Sequence, residues 1–135
     1  MTNAQWELQK AVYQWLAADA ALQAEIGDPA RIFDDPPPDA LFPYLTLGEA
    51  RMSDWKGVEG GLEHDVKLYV FSRYAGRREV KRILGAVYDA LHEAALTVTG
   101  HNLINIRFVF ADAFRRSDGE TYQGVARFRA VTQPQ

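Results

Sequence analysis

The side chains able to do chemistry are few, and their spacing assembles no familiar site. The three histidines, His64, His92 and His101, stand well apart along the chain. None belongs to a His-Glu-x-x-His pair or to another metal-ligand spacing. His64 and Asp65 are neighbours, but on a strand they point to opposite faces and cannot share one ligand without a bulge. His92 falls toward the end of a helical pattern, where a cation suits the helix dipole and no reaction is implied. The serines are Ser53, Ser72 and Ser117, and none occupies a Gly-x-Ser-x-Gly elbow. Gly57-Val58-Glu59-Gly60-Gly61 is glycine-rich but lacks the lysine and the following helix of a phosphate loop. Cysteine is absent, which removes thiolate nucleophiles, disulfides, zinc ribbons and iron–sulfur sites together. Carboxylates crowd residues 28–65 in the pattern of a solvated or contacting surface, and only folding could set two of them as an acid–base pair. On its motifs the chain is not an enzyme, and no catalytic, cofactor or metal residue is expected.

The remaining composition narrows the class. At 135 residues, residues 1–135 are read as a single domain that can bury about two-thirds of its surface without staples. A content of 47% hydrophobic and 24% charged residues excludes global disorder. No apolar run approaches the ~18–20 residues that cross a bilayer, so no membrane partner is expected. Met1 to Glu7 lack a basic stretch followed by an apolar block, which reads as synthesis in the cytoplasm without a secretory signal. A net charge of −3 argues against bulk nucleic-acid binding. That charge is divided unevenly: residues 28–65 hold nine acidic and three basic side chains, while residues 66–135 hold eleven basic and six acidic ones. The two halves either pair within one fold or bring the acidic surface of one copy against the basic surface of the next.

Periodicity predicts the elements that must position these groups. Leu8, Ala11, Val12, Trp15, Leu16, Leu22 and Ile26 recur at helical spacing, with Thr2 or Asn3 as the cap, a possible break after Ala18, and Gly27 at a left-handed C-cap. Pro29, Pro36, Pro37, Pro38 and Pro43 make residues 28–43 an extended connection, with a short edge pairing at Arg31-Ile32-Phe33. A strand is predicted from Tyr44 to Ala50, a mobile loop over 52–62, and a second strand from Glu63 to Tyr74. Arg77 to Leu96 reads as the second helix, striped by Val80, Ile83, Leu84, Val87, Leu91 and Ala94. Leu103 to Asp112 is a strand with Ile104, Ile106, Phe108 and Phe110 on one face. A turn with the Asp118-Gly119 pair leads into a last strand, Tyr122 to Thr132. The result is an α+β fold, a largely antiparallel four-stranded sheet with two main helices packed on one face, in the order α-β-β-α-β-β.

The same alternation selects a surface. Val66, Leu68, Val70, Ile104, Ile106, Phe108 and Phe128 are expected under the second helix. Tyr69, Phe71, Arg73, Arg107, Arg127 and Arg129 then share the opposite face, where arginines interleaved with aromatics suit a protein contact. Trp55 and Val58 are apolar groups in the glycine-rich loop with no evident partner inside the domain. These eight residues form the candidate subunit or tail interface. The basic stripe would alternatively touch passing DNA through phosphates, a use that the overall acidity weakens.

Taken in order, several segments together resemble a known family: Leu22 to Pro29, Arg31 to Asp34, Phe42 to Gly48, Asp54-Trp55, His64 to Arg73, the helix Arg77–Leu96, Arg107 to Ala111, Phe114-Arg115 and Gly124 to Ala130. The family is that of the tail-completion proteins, formerly a domain of unknown function. Its members resemble the tail terminators of long-tailed phages and of the gene transfer agents of alphaproteobacteria. The likeness runs through nearly the whole chain, carried by the order and spacing of its segments. It implies a structural virion protein: a homo-oligomer, a ring of six, that caps the head-proximal end of the tail tube. Its partners would be the tail tube protein and the head–tail connector protein, and its place the head–tail junction of the particle. It brings no catalytic or cofactor residue. The alternatives are another neck component, an adaptor or stopper, and a small-ligand or enzymatic module using a pocket under the 52–62 loop.

Overall fold

The computed structural model describes residues 3–135. Asn3 starts the first helix, α1 (Ala4–Ala17), by accepting the Gln5 and Trp6 amides at 3.1 and 3.3 Å. It fills the capping role the sequence offered, and the other candidate, Thr2, lies outside the described residues. The predicted break after Ala18 is real. Asp19 accepts the Leu22 amide at 3.0 Å and so caps a separate helix, α2 (Ala20–Ile26). Gly27 ends α2 at φ 93°, a backbone that glycine adopts without strain.

Five strands follow, not four: β1 (Ile32–Phe33), β2 (Tyr44–Asp54), β3 (Leu62–Ser72), β4 (His101–Arg115) and β5 (Tyr122–Pro134). The helix α3 (Arg78–Leu91) separates β3 from β4. The sheet order is β1-β2-β3-β5-β4. β1 is the expected edge pairing, and it runs parallel to β2 while all other neighbours are antiparallel. The added strand and the split first helix account for the difference from the predicted order.

Other boundaries also shift for identifiable reasons. β2 stays paired with β3 as far as Asp54 opposite Leu62, so the connecting loop is 55–61 and not 52–62. Met52, Ser53 and Asp54 are exposed, so they show no hydrophobic alternation although their backbone pairs. β3 ends at Ser72, short of the predicted Tyr74. α3 ends at Leu91, five residues before the predicted end. Beyond it Glu93 takes φ 58°, and its amide donates to the Ile106 carbonyl at 2.7 Å. Leu96 and Val98 are buried from irregular chain, which mimics a helical stripe in sequence.

The largest departure is in β4. Its pairing with β5 slips between Leu103 and Asn105 and again between Phe108 and Phe110. Each slip is a bulge, which reverses the side-chain alternation beyond it. Leu103, Ile106 and Phe108 therefore face the helices, while Ile104 and Phe110 do not share that face as expected and are 40% and 37% exposed.

The core lies between the helices and one face of the sheet. Leu68, Val70, Ile106, Ala126, Phe128 and Ala130 are buried beneath Val80, Ile83, Val87 and Leu91 of α3 and Leu8, Val12 and Leu16 of α1. Val66 and Phe108 are half-buried at its margin. Trp15 leaves the predicted apolar face of α1: it is 39% exposed, and its indole N–H donates to the Ala90 carbonyl at 2.6 Å, bridging α1 to α3. At Gly124 a Cβ would come within 2.7 Å of Val80 Cγ1, so the absent side chain is what lets α3 cross close over β5.

Candidate interaction surface

The sheet face away from the helices is built by alternation in β3 and β5. Their register sets Lys67 opposite Arg127 and Asp65 opposite Arg129, so all four project to the same side. Of the eight residues singled out from sequence, six lie on this side: Tyr69, Phe71, Arg107, Arg127 and Arg129 within the strands, and Arg73 just past the end of β3.

Their charges are already engaged. Arg127 Nε donates to Asp65 Oδ1 at 2.6 Å, and Arg129 Nη2 meets Glu63 Oε2 at 2.6 Å, each along a diagonal between β5 and β3. Arg107 lies 3.6 Å from Glu93. Arg73 reaches Glu120 at 3.2 Å and Thr121 at 3.2 Å while its guanidinium covers the Phe42 ring at 4.4 Å. Pairing within the chain joins the two halves through Arg127–Asp65 and Arg129–Glu63, while Arg107–Glu93 and Arg73–Glu120 each lie within residues 66–135. It leaves less free positive charge for phosphates than the count of arginines suggests.

Around Phe71 the face is aromatic. Tyr44 stacks on it with centroids 5.2 Å apart, Tyr69 lies edge-on at 6.4 Å, and Arg116 sits over the ring at 5.7 Å. Phe33 and Phe42 extend the cluster through Tyr44 at 5.7 and 5.0 Å. The sequence reading missed these three rings, though the two-residue spacing of Phe42 and Tyr44 and the expected edge pairing at Ile32-Phe33 carried the signal. The Tyr69 hydroxyl donates to the Glu49 carboxylate. That bond holds Glu49 below the ordinary carboxylate range and pushes the Tyr69 phenol up.

Trp55 and Val58 lie elsewhere, at the far end of the β2–β3 hairpin, in a loop that is hydrogen-bonded within itself. The Trp55 amide donates to the Gly61 carbonyl at 2.9 Å, and the Gly61 amide to the Val58 carbonyl at 3.1 Å. A side chain on Gly57 would come within 2.5 Å of the Trp55 ring. The glycines of this loop therefore make room for the indole, and the loop is closed on itself. Beside the loop, Met52, Leu62, Pro134 and Ala4 line an open, apolar hollow of about 700 Å³. His101, at its edge, binds its own Thr99 carbonyl at 3.1 Å.

The remaining histidines serve the fold. His64 is 2% exposed and its Nε2 lies 2.9 Å from Thr132 Oγ1. Burial, and then the nearby His101, push its pKa down to about 4. His92 uses its Nδ1 lone pair to accept the Phe108 amide at 3.0 Å, tying the end of α3 to β4. Among the described residues no three His, Asp or Glu side chains converge as a metal site would require.

The developed features of this α+β subunit are the faces and edges of its sheet. The chain matches the family described as "Tail completion protein gp17" over residues 10–133, and it belongs to that family. It is also similar to a chain of a solved structure titled "Virion of native gene transfer agent (GTA) particle", with 33% identity, a TM-score of 0.87 and coverage of 98% of both chains. Among curated proteins none matches it. The family is one of structural tail proteins, in keeping with the resemblance read from the sequence.

Proposed function

We propose that this protein forms a ring of six that ends the tail tube of a phage-like particle and joins it to the head connector. The observation that carries this reading is the end-to-end likeness to a chain of a gene transfer agent virion, 98% of each chain at a TM-score of 0.87. The faces fit such a role. Tyr69, Phe71, Arg73, Arg107, Arg127 and Arg129 offer a flat, ordered contact surface to a neighbouring component of the particle, with the tail tube as the preferred partner. The 55–61 loop, with Trp55 and Val58, offers a second contact at the end of the subunit. Amide exchange at Lys56–Glu59 should slow between free chain and particle, and equal exchange would remove the loop from the contacts.

Deleting the gene in cells that make the particle, and imaging the products by electron microscopy, tests the role. Filled heads without tails and tails of irregular length are expected, with joined particles restored by the intact gene. Normal joined particles in the deletion strain would sink the proposal.

A further inference from the structure

β4 stands at the margin of the sheet, with β5 on one side of it only. An open strand margin presents a row of unpaired N–H and C=O groups, which folds commonly cover with a helix or loop. Here the chain leaving α3 covers it at two successive points. The Glu93 amide donates to the Ile106 carbonyl at 2.7 Å, with Glu93 itself turned to φ 58°. Further along the strand, the Phe108 amide donates to His92 Nδ1 at 3.0 Å. The first bond joins backbone groups that do not titrate. The second depends on an imidazole lone pair.

The ring is held for that contact. Tyr88 stacks on it with centroids 4.9 Å apart and planes 14° from parallel, and the same Tyr88 meets the Phe108 ring edge-on at 4.9 Å. Tyr88, His92 and Phe108 thus form one aromatic corner between α3 and β4. A nitrogen that accepts an N–H carries no proton, so the proton of this neutral imidazole sits on Nε2. In the cationic ring both nitrogens are donors, and an Nδ1–H would face the Phe108 N–H. Protonation of His92 and its bond to Phe108 therefore exclude each other.

The charged groups around the corner come from three elements. Asp89, one turn back on α3, and Glu93 lie on the helix side, and Arg107 precedes Phe108 on β4, 3.6 Å from Glu93. On β5, Arg127 and Arg129 point to the far face and are paired with Asp65 and Glu63. Among the described residues no carboxylate bonds the His92 ring, whose one recorded partner is the Phe108 amide.

We infer that His92 is a protonation-sensitive catch on the outer edge of β4. Neutral, it closes the α3–β4 corner over Phe108; on acidification it lets go and leaves that amide without its acceptor. An N–H kept from both water and an acceptor is costly, so the corner opens there. The Glu93 bond still tethers it at Ile106, which makes the release local. The catch belongs to the subunit itself and holds with or without a ring.

Nuclear magnetic resonance of the full-length chain between pH 8 and pH 5 tests this. The Phe108 amide resonance should shift with the same midpoint as the His92 ring signals. Its hydrogen-exchange protection, taken relative to Phe128 so that opening of the whole subunit cancels, should fall at least tenfold across that midpoint. His92→Asn puts a non-titrating oxygen where Nδ1 stood, and there the relative protection of Phe108 should hold throughout. His92→Phe, if it folds, should leave Phe108 unprotected at both ends of the range. A Phe108 amide that stays put while the His92 ring titrates would overturn the inference. So would a His92 ring that remains neutral down to pH 5, or a His92→Asn chain that loses the protection as the wild type does.

Discussion

His64 is an imidazole held almost out of water, 2% exposed. Folded, it titrates at about 4 against 6.5 in an unfolded chain. The unfolded state therefore takes up its proton first as pH falls. Stability is undiminished above about pH 6.5 and is lost progressively toward pH 4, by up to roughly 3 kcal/mol. Urea unfolding at pH 7.0 and 4.5 should show this loss, and His64→Gln should shrink the difference between the two. An unchanged pH dependence in the variant would mean that other groups carry it. The surface arginines behave differently. Arg127 and Arg129 are partly exposed and paired with Asp65 and Glu63, so Arg127→Gln with Arg129→Gln should cost less than about 1 kcal/mol. A markedly larger loss by denaturant titration would make these pairs structural rather than part of a contact face. Reversal to glutamate is a poorer probe, because it would place new carboxylates beside those two acids.

At the level of elements, α3 crossing over β5 is the contact that organises the core. Phe128 is fully buried there, and Phe128→Ala should cost roughly 3–5 kcal/mol. Phe108, half-buried against Tyr88 and Phe128 with centroids 4.9 and 5.7 Å away, should cost less, roughly 2 kcal/mol, because water already reaches part of it. Equal losses in thermal or urea unfolding would place the two in equivalent surroundings. Gly124→Ala forces a Cβ to 2.7 Å from Val80 and 3.0 Å from Leu84. It should destabilise by about 1–3 kcal/mol through overpacking, and a neutral result would show that α3 can lift at no cost.

For the whole molecule, the sheet separates tasks by face and by edge. One face is spent on the core, the other is ordered by aromatic stacking and diagonal ion pairs, and the two edges are left unlike. If apolar contacts close the proposed ring, assembled mass should persist at about 1 M salt, where the Debye length is ~3 Å. Light scattering against salt measures this, and dissociation of the assembly at high salt would make the contact chiefly ionic.

Local rules within the chain determined much of this protein. The spacing of Leu8, Val12 and Leu16, the Asp19 break, the proline-rich crossing and the alternation of Leu68, Val70, Ala126 and Phe128 each state a period that only one element satisfies. The shared face of Tyr69, Phe71, Arg107, Arg127 and Arg129 followed from the same alternation, and the order of the segments identified the family. Tertiary structure decided what depends on a partner strand. The slips of β4 against β5 sent Ile104 and Phe110 outward, because a bulge is set by pairing and leaves no mark in a strand's own alternation. Pairing also carried β2 to Asp54 without any apolar pattern. Whether the arginines stayed free or met Asp65 and Glu63 depended on diagonals between strands some 60 residues apart, a relation that register creates and spacing along the chain does not contain.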